Sequence, residues 1–436
     1  MAENPTPGPV PGTEPGENWS RSLAYTAREL VAPRTVEELR QVVLAADRVH
    51  VVGSRHSFSP VADTDGVLVD VTALPTSIIV DAEARTVTVS AGVRHAALAE
   101  ALHAQGWALR NLASLPHISV AGAVATGTHG SGTRTGSLAT QVAGLRVLTG
   151  EGEVVELGRE EAAAAAVHLG ALGVVLDVTL DVVPTFEVRQ QVFDGVRWDA
   201  VGDDPSGLLG SAYSVSVFTD WAGDGPQQVF VKAASAEELA AAGEVLAAAG
   251  GTPVTERRHP ILGLPAEAAN EQGGVPGPWH ARLPHFRADH TPSAGEEIQS
   301  EYLLPGDRVA EAVKAMRGLS DVVTPLLQVA ELRSVAADEA WASPTSRALA
   351  DGGSADWFVG FHFTWVKDAA AVGRALPAVE EALLPLGARP HWGKVFTPDL
   401  PAADLYPRIG HLRELAERLD PRRRFVNAFL ERHGVR

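Results

Sequence analysis

Residues 118–136 constrain the chain most strongly, because almost all of them are small; the run reads ISVAGAVATGTHGSGTRTG. Where Gly, Ala, Ser and Thr dominate, backbone amides approach a ligand without interference from side chains, and consecutive amides form a nest that suits a diphosphate. The same composition also serves tight packing with no ligand. The run lacks both the Walker A pattern and the Gly-x-Gly-x-x-Gly dinucleotide pattern, so a phosphate site here would belong to another fold.

Composition excludes several classes of protein. The 436 residues include 36 Lys and Arg against 54 Asp and Glu, a formal net charge of −18, and no cysteine. So acidic a chain predicts no nucleic-acid partner and no anionic membrane surface. Without cysteine there are no disulfides, thiolate metal sites or cysteine nucleophiles. The fifteen histidines show no metal-ligand spacing, so we expect no metal.

The length predicts two or three domains, at roughly 100–200 residues per domain. Residues 1–18 are rich in Pro, Gly and Glu, lack the pattern of a secretory signal, and predict a disordered tail. No later stretch has the eighteen apolar residues of a membrane span. We therefore expect a soluble, cytoplasmic protein.

The periodicity predicts an α+β fold. Short strands and helices alternate up to Pro184, a plausible domain boundary. Beyond it, strands outnumber helices and most connections are too short for parallel crossovers, which predicts an antiparallel sheet covered by helices on one side. Residues 252–293 have no clear period, and a loop of that length usually lines or covers a site.

Three further signals are weak one at a time. His56 follows a largely buried strand, where a histidine is a ligand, a base, a nucleophile or merely solvated. In the strand at 357–365, alternation places His362 and Thr364 opposite the large apolar side chains, facing a cleft or solvent. Glu331 and Arg333 share a strand face in the same way, which is also the pattern of a surface ion pair.

Five segments together resemble the vanillyl-alcohol-oxidase-type flavoproteins and, within that superfamily, the alditol oxidases. They are GSRHSF at 53–58, ASLPHISVAG at 113–122, ATGTHGSG at 125–132, GPWH at 277–280 and HWGKVF at 391–396. The resemblance implies a two-domain PCMH-type FAD-binding fold plus a substrate domain. Residues 19–184 would form the FAD-binding domain, 185–386 the substrate domain, and 387–436 a segment returning to the first domain.

The resemblance also implies site residues. FAD would be attached covalently through His56, by a single tether, since the chain has no cysteine for a second one. Arg333 and Lys394 would act on the reacting hydroxyl, and Ser114, Glu331 and Thr364 would bind the remaining hydroxyls. The expected cofactor-binding residues are Val51, Val52, Gly53, Ser54, Arg55, His56, Ser57, Ser114, Ser119, Gly122, Thr126, Gly127, Thr128, His129, Val175 and His391.

The activity implied is oxidation of the primary alcohol of a polyol, with xylitol, sorbitol and glycerol as candidates, to the aldehyde, while oxygen is reduced to hydrogen peroxide. The expected partners are the small-molecule polyol and oxygen, and we expect a monomer. Two alternatives stay open at this point: an aldonolactone oxidase or dehydrogenase of the same superfamily, and a non-catalytic carbohydrate-binding protein.

Overall fold

The computed structural model describes residues 12–290 and 295–436. Up to Pro184 the strands are β1 (Gly12–Thr13), β2 (Glu29–Val31), β3 (Val49–Val52), β4 (Val67–Asp70), β5 (Ile78–Asp81), β6 (Thr86–Ser90), β7 (Trp107–Ala108), β8 (Val142–Leu148), β9 (Val154–Leu157), β10 (Val174–Asp181) and β11 (Val183–Pro184). The helices there are α1 (Val36–Ala45), α2 (His95–Ala104), α3 (Val120–Ala125) and α4 (Arg159–Ala164).

These elements form two main sheets. One has the order β1-β2-β4-β3, in which β2, β4 and β3 run parallel, and the other is antiparallel with the order β5-β6-β10-β8-β9. The chain enters α1 through a capping interaction, because the Thr35 hydroxyl accepts from the Glu38 amide. Leu39 and Val43 bury the apolar face of that helix. β3 ends directly in the polar loop at residues 53–57.

The remaining strands are β12 (Glu187–Asp194), β13 (Ser214–Thr219), β14 (Gln228–Ala233), β15 (Thr252–Pro253), β16 (Gly277–Pro278), β17 (Glu297–Pro305), β18 (Leu327–Ala336), β19 (Trp357–Val366) and β20 (Arg389–Pro390). The helices are α5 (Trp198–Asp203), α6 (Pro205–Leu209), α7 (Ala236–Ala248), α8 (Val309–Gly318), α9 (Ser320–Val323), α10 (Ala369–Leu383), α11 (Ile409–Leu419) and α12 (Ala428–Arg432).

A single large sheet dominates this second region. Its order is β15-β12-β14-β13-β18-β19-β17-β20, with β16 also paired to β12, and all of its pairings are antiparallel. Apolar side chains such as Leu332 and Phe361 pack on one face, in the same core as Leu376 of α10. The other face carries polar side chains. The predicted α+β class with an antiparallel sheet is therefore confirmed.

The structure departs from the predicted tail at its C-terminal part. Residues 1–11 of that tail lie outside the described residues, but β1 pairs with β2. Asn18 is buried, and its side-chain oxygen accepts from the amides of Ser22 and Leu23. Order therefore begins before Trp19, because strand pairing and a side-chain-closed turn stabilise a stretch whose composition alone predicts disorder.

The C-terminal segment contacts both regions. β20 is still an edge strand of the large sheet. After it, the Val49 amide donates to Arg424 O at 2.8 Å, and the Asn427 side-chain amide donates to Val61 O and Asp63 O. The chain thus starts this segment in the second region and ends it against the first. Within the described residues, no helix has the length and apolar character needed to cross a membrane.

Candidate active site

A cavity of about 450 Å³ lies between the loops of the first region and the polar face of the large sheet. One wall, the loop wall, is formed by residues from three segments, 50–58, 113–129 and 168–175. The opposite wall, the sheet wall, consists of polar side chains on β17, β18 and β19 together with His391 and Lys394. Residues of the long loop predicted at 252–293 also line the cavity, among them His259, Ile261 and His285.

The loop wall depends on close contacts that only small residues allow. A Cβ on Gly53 would lie 2.2 Å from the Ser119 hydroxyl oxygen, so this position excludes any side chain. The amide of Ser119 donates to the Ser54 hydroxyl at 3.1 Å, which joins the two loops. Arg55 adopts a left-handed backbone, with φ of 57°, at the tightest point of the turn.

His56 faces the cavity in the neutral form. Its ring stacks on Trp19, with ring centroids 4.6 Å apart. Desolvation in the cavity, reinforced by the positive charge of Lys394, lowers the pKa of His56 to about 3. An imidazole with so low a pKa keeps a lone pair free at physiological pH.

The deeper part of the loop wall holds a second neutral imidazole. Both ring nitrogens of His50 are buried without a hydrogen-bond partner among the described residues, and burial lowers the pKa of His50 to about 4. A Cβ on Gly170 would lie 2.4 Å from this ring. These two nitrogens are unpaired polar atoms in a cavity wall, which points to a polar ligand group beside them.

On the sheet wall, the register of three strands, β18, β19 and β17, brings the polar residues together. Glu331 lies opposite His362, and His362 lies opposite Glu301. Two residues further along β18, Arg333 lies opposite Gly360 of β19. A Cβ on Gly360 would lie 3.0 Å from Glu301 Oε1, so the glycine leaves room for that carboxylate. Side chains on adjacent strands at such positions contact one another, so the register builds one connected polar cluster.

Arg333 is the centre of this cluster and is buried. Its guanidinium donates to the Ser114 hydroxyl at 2.7 Å and lies 3.5 Å from Glu301 and 3.9 Å from Glu331. Burial alone would raise the pKa values of both carboxyls, but Arg333 and neighbouring histidines hold the pKa values of Glu301 and Glu331 well below the usual range. The carboxylates therefore stay ionised and fix the guanidinium in place.

Glu301 also binds His129 across the cavity. His129 Nε2 lies 3.1 Å from Glu301 Oε1, while Nδ1 lies 2.8 Å from Gly130 O. Both ring nitrogens thus lie within hydrogen-bonding distance of an oxygen atom. This contact joins residues 172 positions apart and ties the loop wall to the sheet wall.

Lys394 supplies the second cation of the sheet wall. Its ammonium donates to Gln299 Oε1 and lies 5.3 Å from the centre of the Phe58 ring. Desolvation lowers the pKa of Lys394 to about 8, against the opposing effect of Glu301. His391, on the same loop, accepts from the Gly393 amide at Nδ1, and burial lowers the pKa of His391 to about 3.

The structure brings the expected site residues around one cavity. All of them line it except Gly127, which has φ of 73° and packs against Pro344. The ion pair of Glu331 and Arg333 is buried rather than on the surface, and His362 and Thr364 face this cavity rather than solvent. Residues 351–356, in the connection between β18 and β19, do not line the cavity.

Sequence reasoning missed Glu301, Gln299 and His285. A signal for the first two exists in the sequence EIQSE at 297–301, because its polar residues alternate as they do in a strand with one polar face. His285 lies in an irregular loop, and no periodicity predicts where its ring points.

The chain is similar in sequence to known proteins. Residues 27–158 match the family model of a FAD binding domain, and residues 295–433 match that of D-arabinono-1,4-lactone oxidase. The chain is 46% identical to alditol oxidase from a Streptomyces species over 419 residues, which cover 95% of this chain and 97% of the relative. It is 37% identical to L-gulonolactone oxidase from Scyliorhinus torazame, over 45% of this chain and 47% of that protein.

Solved structures share the fold. A solvent-stable cholesterol oxidase superposes with a TM-score of 0.75 at 16% sequence identity, and the match covers 100% of both chains. Together with the FAD-binding family match, this likeness confirms the expected PCMH-type fold, a FAD-binding domain joined to a second domain.

Proposed function

The chain belongs to the alditol oxidase family, and we propose that it oxidises the terminal primary alcohol of an open-chain polyol, such as xylitol or sorbitol, to the aldehyde. Oxygen is the final electron acceptor and leaves as hydrogen peroxide. The observation that carries this proposal is the pair of cations, Arg333 and Lys394, on the sheet wall. Glu331 and Thr364 lie on the same wall, and Ser114 faces them from the loop wall, so these three supply hydroxyl-binding groups.

The chain binds FAD, and the loop wall fits this cofactor. Its small residues would let FAD approach the backbone closely. The two ring nitrogens of His50 have no hydrogen-bond partner among the described residues, so a polar group of FAD would fit beside them. When bound, FAD supplies the two-electron acceptor for the hydride removed from the alcohol carbon. We propose the cofactor-binding residues named from the sequence as the ones that hold it.

Arg333 and Lys394 would act on the reacting hydroxyl. A positive charge beside that oxygen favours alkoxide character as the hydride leaves carbon. Arg333 is suited to this role because Glu301, Glu331 and Ser114 already fix its guanidinium, so it need not reorganise during the reaction. Both residues are the proposed catalytic residues.

Glu331, Thr364 and Ser114 would bind the other hydroxyls of the polyol. Glu331 is buried and ionised, so a carboxylate oxygen that receives no hydrogen bond lowers the stability of the complex. A substrate that lacks the matching hydroxyls leaves these groups unpaired and is rejected. The same wall therefore supplies both the chemistry and the selectivity.

Substrate oxidation is tested on the purified holoenzyme. We expect a visible flavin spectrum, bleaching of that spectrum by xylitol under anaerobic conditions, and peroxide formation in air. Gulonolactone and galactonolactone serve as the comparison, because a lactone-oxidase family model matches residues 295–433. Preference for a lactone over xylitol and sorbitol would overturn the proposed substrate class, and colourless protein would overturn the flavoenzyme.

The tether is tested separately. We propose that a nitrogen of the neutral His56 imidazole is bonded to the 8α carbon of the flavin, so acid precipitation should leave the yellow colour in the wild-type pellet. In His56→Ala the colour should move to the supernatant. His103→Ala, which removes a half-buried histidine that lies outside the cavity and is hydrogen-bonded to Thr185, should behave as wild type. Colour retained in the His56→Ala pellet would contradict the assignment.

A further inference from the structure

Lys232 lies behind the sheet wall and does not line the cavity. It is on β14, is 2% exposed, and is one of four lysines in the sequence. Its ammonium donates to Leu283 O, to Pro284 O at 3.3 Å and to His285 Nδ1 at 3.3 Å. An ammonium has three N–H donors, so these three acceptors use all of them.

The contact with Lys232 determines which nitrogen of His285 carries the proton. Because Nδ1 accepts from the ammonium, the proton of the neutral ring is on Nε2, which donates to Glu331 Oε1 at 2.9 Å. Phe218 and Phe230 meet the His285 ring edge to face, at centroid distances of 5.3 and 5.9 Å. The ring thus cannot turn away from Glu331 without losing this packing.

We propose that Lys232 is a positioning residue for substrate recognition: through the tautomer of His285 it holds Glu331 as a fixed, ionised acceptor for a polyol hydroxyl remote from the reacting carbon. This inference rests on the proposed function, since it concerns what Glu331 binds. Loss of the Lys232 proton or side chain allows the other tautomer, whose bare Nε2 repels the carboxylate.

Charges around Lys232 support this arrangement. Burial lowers the pKa of Lys232 to about 7. The negative charge of Glu331 raises this pKa, and the positive charge of Arg333 lowers it further. On the neighbouring strands the residues opposite it are Gln190 and Ser214, neither of which ionises. With a pKa of about 7, the ammonium should lose its proton as pH rises through neutrality, and affinity for the polyol should fall with it.

A double-mutant cycle tests the kinetic consequence. Lys232→Met should raise the KM for xylitol about tenfold with little change in kcat, since Glu331 contacts a remote hydroxyl. It should leave 1,2-pentanediol, which lacks the hydroxyls on carbons 3 to 5, within about twofold of wild type. In a Glu331→Gln background the effect of Lys232→Met should vanish. Lys314→Met, at an exposed position on α8, is the control.

The proposal would be overturned if Lys232→Met raised KM tenfold in both the wild-type and the Glu331→Gln backgrounds, or for both xylitol and 1,2-pentanediol. Lys232 would then act by general destabilisation. Unchanged kinetics for Lys232→Met would overturn it as well. Wild-type protein that does not oxidise xylitol would refute the proposed function instead.

Nitrogen NMR of wild-type protein with labelled histidine measures the tautomer of His285 directly. This measurement requires neither turnover nor a stable Lys232 variant. The His285 signals, identified by their loss in His285→Gln, should report a proton on Nε2 at pH 6 and a shift toward Nδ1 by pH 9. A proton on Nδ1 at pH 6, or no change of tautomer with pH, would contradict the role of Lys232.

Discussion

The two walls of the cavity are built in opposite ways. The loop wall uses small residues, backbone groups and neutral imidazoles, with the pKa values of His50 and His56 lowered to about 4 and 3. The sheet wall uses charged side chains, with Arg333 between two ionised carboxylates. In the proposed function, the shape of the loop wall would select the cofactor, and the fixed charges of the sheet wall would select and activate the substrate.

Among the substitutions considered, Arg333→Met should have the largest effect on the function of the sheet wall and on stability. Removal of the guanidinium leaves Glu301 and Glu331 buried without their shared cation and removes charge beside the reacting oxygen. We expect kcat/KM for xylitol to fall about a thousandfold and the free energy of unfolding to fall by about 3–5 kcal/mol.

The control for this variant is Arg308→Met, which breaks an exposed pair with Glu311 and should cost less than about 1 kcal/mol. Stopped-flow flavin reduction and denaturant unfolding measure the two effects. A rate within tenfold of wild type would remove Arg333 from the chemistry.

The pH profile sharpens the comparison, because only the sheet wall holds the proposed catalytic cation with a pKa near neutrality. Lys394 is active as the cation and has a pKa lowered to about 8. Rising pH removes its charge, so kcat should fall above pH 8 by about tenfold per unit, or a hundredfold by pH 10. We choose kcat because the proposed effect of Lys232 is on KM.

Lys394→Arg keeps the charge and should shift this alkaline limb to higher pH. Lys367→Arg, at a half-buried position outside the cavity, should not. An alkaline limb that stays in place in Lys394→Arg would show that another group titrates.

The loop wall should respond to shape instead. Gly53→Ala places a Cβ 2.2 Å from the Ser119 hydroxyl, an overpacking that costs about 1–3 kcal/mol. We expect less flavin per protein, measured by the ratio of visible to ultraviolet absorbance, with Ser119→Gly restoring it in the double variant. Gly373→Ala, with no atom near the added Cβ, should retain full flavin. Normal flavin content in Gly53→Ala would argue against a shape-determined wall.

The smallest effect should come from Thr364→Val. This variant keeps the side-chain shape and removes one hydroxyl, whose net contribution is about 1 kcal/mol. The KM for xylitol should therefore rise about fivefold while flavin content stays constant. Thr252→Val, at an exposed edge strand, should leave KM unchanged. A loss of flavin in Thr364→Val would mean that the two walls are not separable.

Sequence patterns predicted those parts of the fold and site that depend on local order. Alternation placed His362 and Thr364 on one face, and His56 does follow a largely buried strand, as the sequence predicts. Composition failed for residues 12–18, because pairing with β2 is a non-local interaction.

By itself, the sequence determined the elements, the family and which residue types the cavity contains, because periodicity, turn chemistry and motifs are properties of neighbouring positions. The tertiary structure alone decided that Glu301 meets His129 and that Lys232 reaches Glu331 through His285. Strand register and loop packing join residues far apart in the chain, and no local pattern encodes those distances.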